Sequence, residues 1–260
     1  MDKKQVYFVG AGPGAVDLIT VRGQELLKKA DIVIYAGSLV NVELLELCRE
    51  DARLFDSARM TLEEVMEVIR EASLAGEDVV RLHSGDPSIY GAIREQIDEL
   101  CKLDIPYDIT PGVTAAMGAA ASLGVEYTLP GVTQTFVITR MKGRTDVPDG
   151  EKIEELVKTG ASVAVYLSAG MTKELTERLM AAGIDGDTPA AMVYKCSWKE
   201  EKRYAGTLKE LPEAAEREGM DRSAVILIGQ ALGQSDGSTG YDRSKLYDPS
   251  FTTGYRKGDR

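Results

Sequence analysis

Short apolar runs that end on glycine or proline alternate with stretches of helical periodicity through the first half of the chain. Val6 to Val9 reads as a short buried strand, and Gly10-Ala-Gly-Pro-Gly14 turns it into a helix carrying Leu18, Val21, Leu26 and Leu27. Ile32 to Tyr35 reads as a second strand. Thr61-Leu-Glu-Glu64 has the spacing of a capping box, with Val65, Val68 and Ile69 behind it on one helical face. Asp78 to Leu82 is strand-like again and ends in Ser84-Gly-Asp-Pro-Ser88, which opens a helix with Ile89, Ile93, Ile97 and Leu100. Strand alternating with helix in this way predicts a mostly parallel sheet.

Pro111-Gly112 breaks the pattern, and Thr114 to Ser122 predicts a helix of small residues. Beyond it, Phe136 to Thr139, Ser162 to Leu167, Ala190 to Tyr194, Arg203 to Gly206 and Ala224 to Ile228 read as strands. The last two resemble hairpin elements more than crossover units, so this half is expected to hold a mixed sheet. After Leu232 the chain turns to Gly, Ser, Asp, Tyr and Arg, as irregular segments do. The expected organisation is two α/β domains, 1–112 and 113–233, with the active-site cleft between them, and an irregular tail over 234–260.

Composition narrows the function. Apolar residues at 43% and charged residues at 28% of 260 describe a folded, water-soluble chain. A net charge of -11 opposes docking on nucleic acid, which needs a surplus of Lys and Arg on one face. No apolar run approaches the roughly 20 residues of a membrane helix. Gly10 interrupts the first apolar run too early for a signal peptide, so a cytoplasmic location is expected. Cys48, Cys101 and Cys196 have no metal-type spacing and only His83 to join them, so neither a bound metal nor a disulfide framework is expected.

Several strand ends carry candidate chemistry. Gly10, Gly12 and Gly14 follow a strand and would let backbone N–H groups approach a carboxylate or phosphate, although a plain tight turn explains them nearly as well. Gly10, Gly12 and Ala15 also fit a dinucleotide fingerprint, whose acidic residue is missing where the second strand ends in Tyr35-Ala-Gly-Ser38. In Ser84-Gly-Asp-Pro87, Asp86 and Pro87 suit a helix start, while Gly85 adds close access at a strand's carboxyl end. His83, on the same strand, is a weak candidate for catalysis and more often a packed residue. Arg140, Lys142 and Arg144 cluster after the strand Phe136 to Thr139 and suit the binding of carboxylates, though a solvated loop is the commoner meaning. Tyr166-Leu-Ser-Ala-Gly170 and Tyr194-Lys-Cys-Ser-Trp198 are two further apolar strand ends.

Taken in order, Gly10-Ala-Gly-Pro-Gly14, Gly85-Asp-Pro87, Pro111-Gly-Val-Thr-Ala115 and the Tyr166 and Tyr194 strand ends resemble the tetrapyrrole methyltransferases over residues from about 5 to about 233. Within that family the likeness is greatest to precorrin-4 carbon-11 methyltransferases. It rests on Tyr35-Ala-Gly-Ser-Leu-Val40, Arg81-Leu-His-Ser-Gly-Asp-Pro-Ser-Ile-Tyr-Gly91, Leu129-Pro130, Gln134-Thr135, Thr139-Arg140, Gly143-Arg-Thr145, Tyr194-Lys-Cys-Ser-Trp198 and the tail segment Lys245-Leu-Tyr-Asp-Pro-Ser-Phe251. The resemblance implies a homodimeric enzyme of tetrapyrrole methylase type, with the tetrapyrrole on the N-terminal side and S-adenosylmethionine on the C-terminal side. Its product would be S-adenosylhomocysteine. Carried over by position, cofactor contacts fall on Pro13, Ser84, Gly85, Asp86, Ile89, Thr114, Ala115, Leu167, Cys196 and Val225. Substrate contacts fall on Gly10, Gly12 and Gly14, with Arg140, Lys142 and Arg144 seating substrate carboxylates.

The chain departs from its relatives at two points. Ala36 stands where uroporphyrinogen methyltransferases place an aspartate, which speaks against that activity. Ala15 fills a position that is aspartate in many members, with Asp17 two residues later. The expected reaction is methylation of precorrin-4 or cobalt-precorrin-4 at ring carbon 11 in cobalamin biosynthesis. The rival readings are another precorrin or uroporphyrinogen C-methyltransferase, a nucleotide-binding oxidoreductase, and a non-catalytic binding module.

Overall fold

The structure, a computed structural model, describes residues 5–234 and 240–259. The chain divides into two compact units: one runs to Gly118 and takes in Lys195–Glu201, and the other comprises Ala119–Tyr194 with the chain from Lys202 onward.

The first unit is built on a wholly parallel sheet in the order β3-β2-β4-β1-β5, from β1 (Val6–Gly10), β2 (Ile32–Tyr35), β3 (Arg53–Asp56), β4 (Val79–His83) and β5 (Tyr107–Thr110). Both faces of its central strands are covered. One face carries Val6, Phe8, Ile32, Ile34 and Val79 against α2 (Leu62–Ala75) and α3 (Ile93–Lys102), and the other carries Val9, Val33, Val80 and Leu82 with Leu27 of α1 (Val21–Lys29). Burial on two faces is why these strands read as unbroken apolar runs rather than alternating ones.

The helix starts hold two corrections. The segment after the glycine loop is one short 3-10 turn, Val16–Leu18, and α1 begins only after Thr20, whose side chain accepts from the Gly23 N–H. Leu18 therefore lies outside the helix, because Thr20 is the stronger cap. Likewise Ile89 lies in a turn, and α3 begins at Ile93 after Ala92 in a left-handed conformation (φ 49°). Asp86 and Pro87 accordingly do not start a helix. The capping box of Thr61 and Glu64 is present in both directions, and α2 ends on Gly76 at φ 72°.

In the second unit the order is β6-β7-β10-β8-β9, from β6 (Phe136–Arg140), β7 (Ser162–Tyr166), β8 (Pro189–Tyr194), β9 (Lys202–Thr207) and β10 (Ala224–Ile228). Only the β6–β7 pair is parallel, so the sheet is mixed. Its core gathers Val163, Val165, Met192 and Ile226 with Leu175 and Leu179 of α6 (Thr172–Ala181) and Leu211 of α7 (Leu211–Glu218). Strand β7 stops one residue short of the sequence expectation, because Leu167 turns into a left-handed conformation (φ 54°). No helix among the described residues is long and apolar enough to cross a membrane.

Candidate functional site

Parallel sheets place ligands at the carboxyl ends of their strands, where the connecting loops begin. In the first unit β4, β1 and β5 are neighbours, so the loops after His83, Gly10 and Thr110 meet at one edge. An antiparallel bridge joins the first two: the Gly12 N–H donates to the Gly85 carbonyl at 3.2 Å and the Gly85 N–H to the Gly12 carbonyl at 2.9 Å. The third loop is drawn in by Asp86, whose Oδ2 accepts from the Gly112 N–H at 2.9 Å, while its Oδ1 accepts from the Ser88 N–H at 2.8 Å. Burial tends to raise the Asp86 pKa, but the hydrogen bonds from Ser88 and Gly112 outweigh it and hold the carboxyl below its ordinary value.

This closeness demands glycine. A methyl group on Gly10 would stand 2.6 Å from Gly112 Cα and 2.7 Å from the Gly85 carbonyl oxygen, distances that real side chains do not tolerate. Gly12 adopts φ 78°, the left-handed region that favours glycine. Three N–H groups of this loop and its exit are also spoken for. Ala11 donates to the His83 carbonyl at 2.7 Å, Gly12 to Gly85, and Ala15 to Ser197 Oγ at 2.9 Å. A dinucleotide pyrophosphate would need such donors to be free, which removes the main support for an oxidoreductase.

The segment Lys195–Glu201, which follows β8, joins this first unit. Trp198 Nε1 donates to the Pro13 carbonyl at 3.2 Å, and its indole occupies the space where a Gly14 side chain would be. Lys195 (φ 44°) and Ser197 (φ 63°) flank Cys196 in left-handed backbone, a conformation the Ser197 N–H bond to Glu201 Oε2 at 2.6 Å helps to hold. Cys196 is buried against Gly118 together with Pro13, and burial, assisted by the charge of Glu201, pushes its thiol pKa up to about 12. It is therefore a neutral packing group rather than a nucleophile.

The candidate cofactor residues Pro13, Ser84, Gly85, Asp86, Ile89, Thr114, Ala115 and Cys196 thus belong to the first unit, whereas Leu167, 67% exposed, and buried Val225 belong to the second. Beside Gly85 the nearest atoms to an added methyl group are Thr114 Cα at 3.5 Å and the Ala115 nitrogen at 3.8 Å, so this part of the edge is lined by small residues. Val113 and Met117, on either side of them, are 37% and 45% exposed. Apolar side chains, small residues and the oxygens of Ser84 suit a ligand that combines an apolar ring, a thioether and a polar amino-acid end.

Arg140, Lys142 and Arg144 lie in the second unit, and the structure separates their roles. The Arg140 guanidinium donates to the carbonyls of Met141 (3.3 Å), Thr145 (3.1 Å) and Asp146 (2.5 Å), folding the loop on itself. Lys142 pairs with Asp146 at 2.7 Å. Arg144 is exposed and has no ion-pair partner among the described residues, which leaves its charge available to a ligand. The three cations look equal in sequence because which of them the loop itself consumes depends on how it folds.

His83 is 5% exposed, with its ring 6.0 Å from that of Phe8, and its Nε2 lacks a hydrogen-bond partner. Burial, reinforced by the nearby charge of Arg81, lowers its pKa to about 3. A neutral imidazole that weak is a poor acceptor for a proton leaving carbon at neutral pH. Arg81 itself, to which the sequence reading assigned no role, is 8% exposed. Its Nε donates to Gln96 Oε1 at 3.2 Å and its Nη1 to the Ile34 carbonyl at 3.1 Å, and burial lowers its pKa to about 10. The available signal was a basic residue inside the apolar run Val79 to Leu82. Among the described residues, no group of three or more His, Cys, Asp or Glu gathers as a metal site would require.

Residues 5–212 match the family model of Tetrapyrrole (Corrin/Porphyrin) Methylases. The chain belongs to the tetrapyrrole methylases. Among similar members of that family is the cobalt-precorrin-4 C(11)-methyltransferase of Methanocaldococcus jannaschii, 46% identical over 259 residues, 100% of this chain and 98% of the relative. The precorrin-4 C(11)-methyltransferase of Pseudomonas aeruginosa is 42% identical over 98% of this chain and 99% of its own length. Among solved structures, a cobalt precorrin-4 methyltransferase of cobalamin biosynthesis superimposes with a TM-score of 0.86 at 42% identity, covering 88% of this chain and 95% of that one. A uroporphyrin-III C-methyltransferase of Thermus thermophilus complexed with S-adenosylhomocysteine gives 0.74 at 26% identity, covering 88% and 99%.

Proposed function

We propose that this tetrapyrrole methylase transfers a methyl group from S-adenosylmethionine to carbon 11 of precorrin-4 or cobalt-precorrin-4. The observation that carries the reading is the match to the Methanocaldococcus jannaschii relative at 46% identity over 259 residues. The carboxyl-edge loops of the first unit support it by pairing small and apolar lining residues with polar groups.

When bound, S-adenosylmethionine supplies a methyl group already activated by its sulfonium, so the protein's work is alignment and the exclusion of water. Ser84, Gly85, Asp86, Ile89, Thr114 and Ala115, with Pro13 and Cys196, would hold the cofactor. Of these, Asp86 acts by tying the Gly112 loop to the Gly85 loop, since its oxygens are engaged with Ser88 and Gly112. The glycine loop, Gly10 to Gly14, would face the macrocycle with its Ala11 and Gly12 N–H groups already engaged. Arg144 would seat a substrate carboxylate, and Arg140 would act through the loop that presents Arg144. The low basicity of His83 favours loss of the substrate proton to solvent or to the substrate's own groups.

A cytoplasmic homodimer that binds no nucleic acid completes the proposal; the charge of -11 supports its last element. Calorimetric titration with S-adenosylhomocysteine tests the cofactor assignment. Micromolar binding is expected, and no binding would overturn it.

A further inference from the structure

Arg81 is a buried cation to which the proposed function gives no work. It stands on β4 between Phe8 of β1 and Ile34 of β2, on the face that α3 covers. Among the described residues no carboxylate pairs with it. An unpaired guanidinium inside a sheet carries a desolvation cost that an apolar side chain of similar length would not. The guanidinium instead makes a bridge. Its Nη1 donates to the Ile34 carbonyl at 3.1 Å, within the sheet, and its Nε to Gln96 Oε1 at 3.2 Å, in the first turn of α3. Gln96 is buried as well, and its Nε2 extends the bridge by donating to the Ala92 carbonyl at 3.1 Å.

Ala92 ends a turn that needs holding. Tyr90 (φ 55°) and Ala92 (φ 49°) both adopt left-handed backbone, which residues with a side chain rarely do, and Ala92 offers α3 no side-chain cap. Between them, Gly91 lies so close to Pro87 that an added methyl group would overlap the Pro87 carbonyl oxygen. Ile89, whose N–H donates to the Asp86 carbonyl at 3.2 Å, belongs to the same turn. The bonded series Ile34, Arg81, Gln96 and Ala92 therefore connects the sheet to the turn that carries Ile89.

We propose that Arg81 is a positioning residue for cofactor binding: through Gln96 and Ala92 it fixes the turn from Ser88 to Ala92, and so the place of Ile89 against the cofactor. The inference rests on the S-adenosylmethionine-dependent reading, from which Ile89 takes its cofactor contact. Two variants of the full chain separate positioning from packing. Gln96→Glu keeps an acceptor for Arg81 but removes the amide that donates to Ala92, whereas Arg81→Met/Gln96→Met replaces both partners with apolar chains. Both should keep a thermal midpoint near the parent's, since the first supplies a counter-charge and the second removes donor and acceptor together. By calorimetry each should bind S-adenosylhomocysteine roughly fivefold more weakly, the worth of about one hydrogen bond. The KM for S-adenosylmethionine should rise to match while the KM for the macrocycle stays at the parent's value. In an Ile89→Ala background, Gln96→Glu should cost no further affinity; an equal loss there would contradict the path through Ile89. S-adenosylhomocysteine affinity unchanged in both variants, or lost only in step with the thermal midpoint, would overturn the positioning role and leave the methyltransferase reading standing. A parent that bound no S-adenosylhomocysteine would sink that reading and this inference together.

Discussion

Single residues account for much of the edge's shape. His83 is the chain's only histidine, so its ring can be followed without ambiguity. Its folded pKa of about 3 lies below the ordinary 6.5, which means the unfolded state takes up a proton first as pH falls. Its stabilising effect is complete above about pH 6.5 and is lost progressively toward pH 3, at roughly 1.4 kcal/mol per unit. Urea-unfolding free energies of the parent and His83→Gln should therefore diverge by about 2 kcal/mol between pH 6.5 and 5; parallel curves would contradict a buried neutral imidazole. Gly10→Ala should cost about 2 kcal/mol or more, since the neighbours of its methyl group are backbone atoms that cannot rotate away. Arg144→Ala should raise the substrate KM several-fold with kcat and cofactor affinity little changed, and steady-state kinetics reads the split directly.

What the chain reveals in advance differs from residue to residue in the same way. The glycines and the strand ends were legible because close approach and left-handed backbone leave a mark on residue type. The partners of Arg140 and Lys142, and the burial of Arg81 without a carboxylate, were not, because side-chain pairing depends on which loops meet. Asp86 shows both sides: its importance was visible, but its role as a tie to Gly112 and not a helix cap required the fold.

At the scale of elements, the parallel strands of the first unit were legible from apolar runs bounded by glycine and proline. The β3 and β5 edge strands were not: Arg53, Leu54 and the first three residues of β5 are exposed, so little apolar pattern betrays them. The capping box on α2 was readable from Thr61 and Glu64, and Thr61→Ala should lower stability by about 1 kcal/mol without altering S-adenosylhomocysteine affinity. The segment Lys195–Glu201 could not be assigned to the first unit from sequence, since its anchor points lie over 150 positions away in the chain. It holds the only tryptophan. Trp198→Phe removes the bond to the Pro13 carbonyl, worth about 1 kcal/mol, and should weaken S-adenosylhomocysteine binding roughly fivefold. In the parent, binding should change Trp198 fluorescence; a silent indole and an unchanged Kd in the variant would detach this segment from the cofactor site.

For the whole molecule, two sheets of different kinds divide the labour. The first is wholly parallel and gathers its loops at one carboxyl edge, where Gly10 and Gly112 lie so close to each other and to the Gly85 carbonyl that backbone fills the space their side chains would take. The second is mixed and carries Arg144 and the C-terminal segment. Such a chain invests its polar groups in fixing backbone, which suits a reaction whose methyl donor is already activated. The most direct test is to incubate the purified protein with methyl-labelled S-adenosylmethionine and either precorrin-4 or cobalt-precorrin-4, then determine the product's mass and the labelled position. A macrocycle one methyl group heavier, labelled at carbon 11, is expected. A macrocycle recovered unlabelled from both incubations, with the cofactor intact, would contradict it.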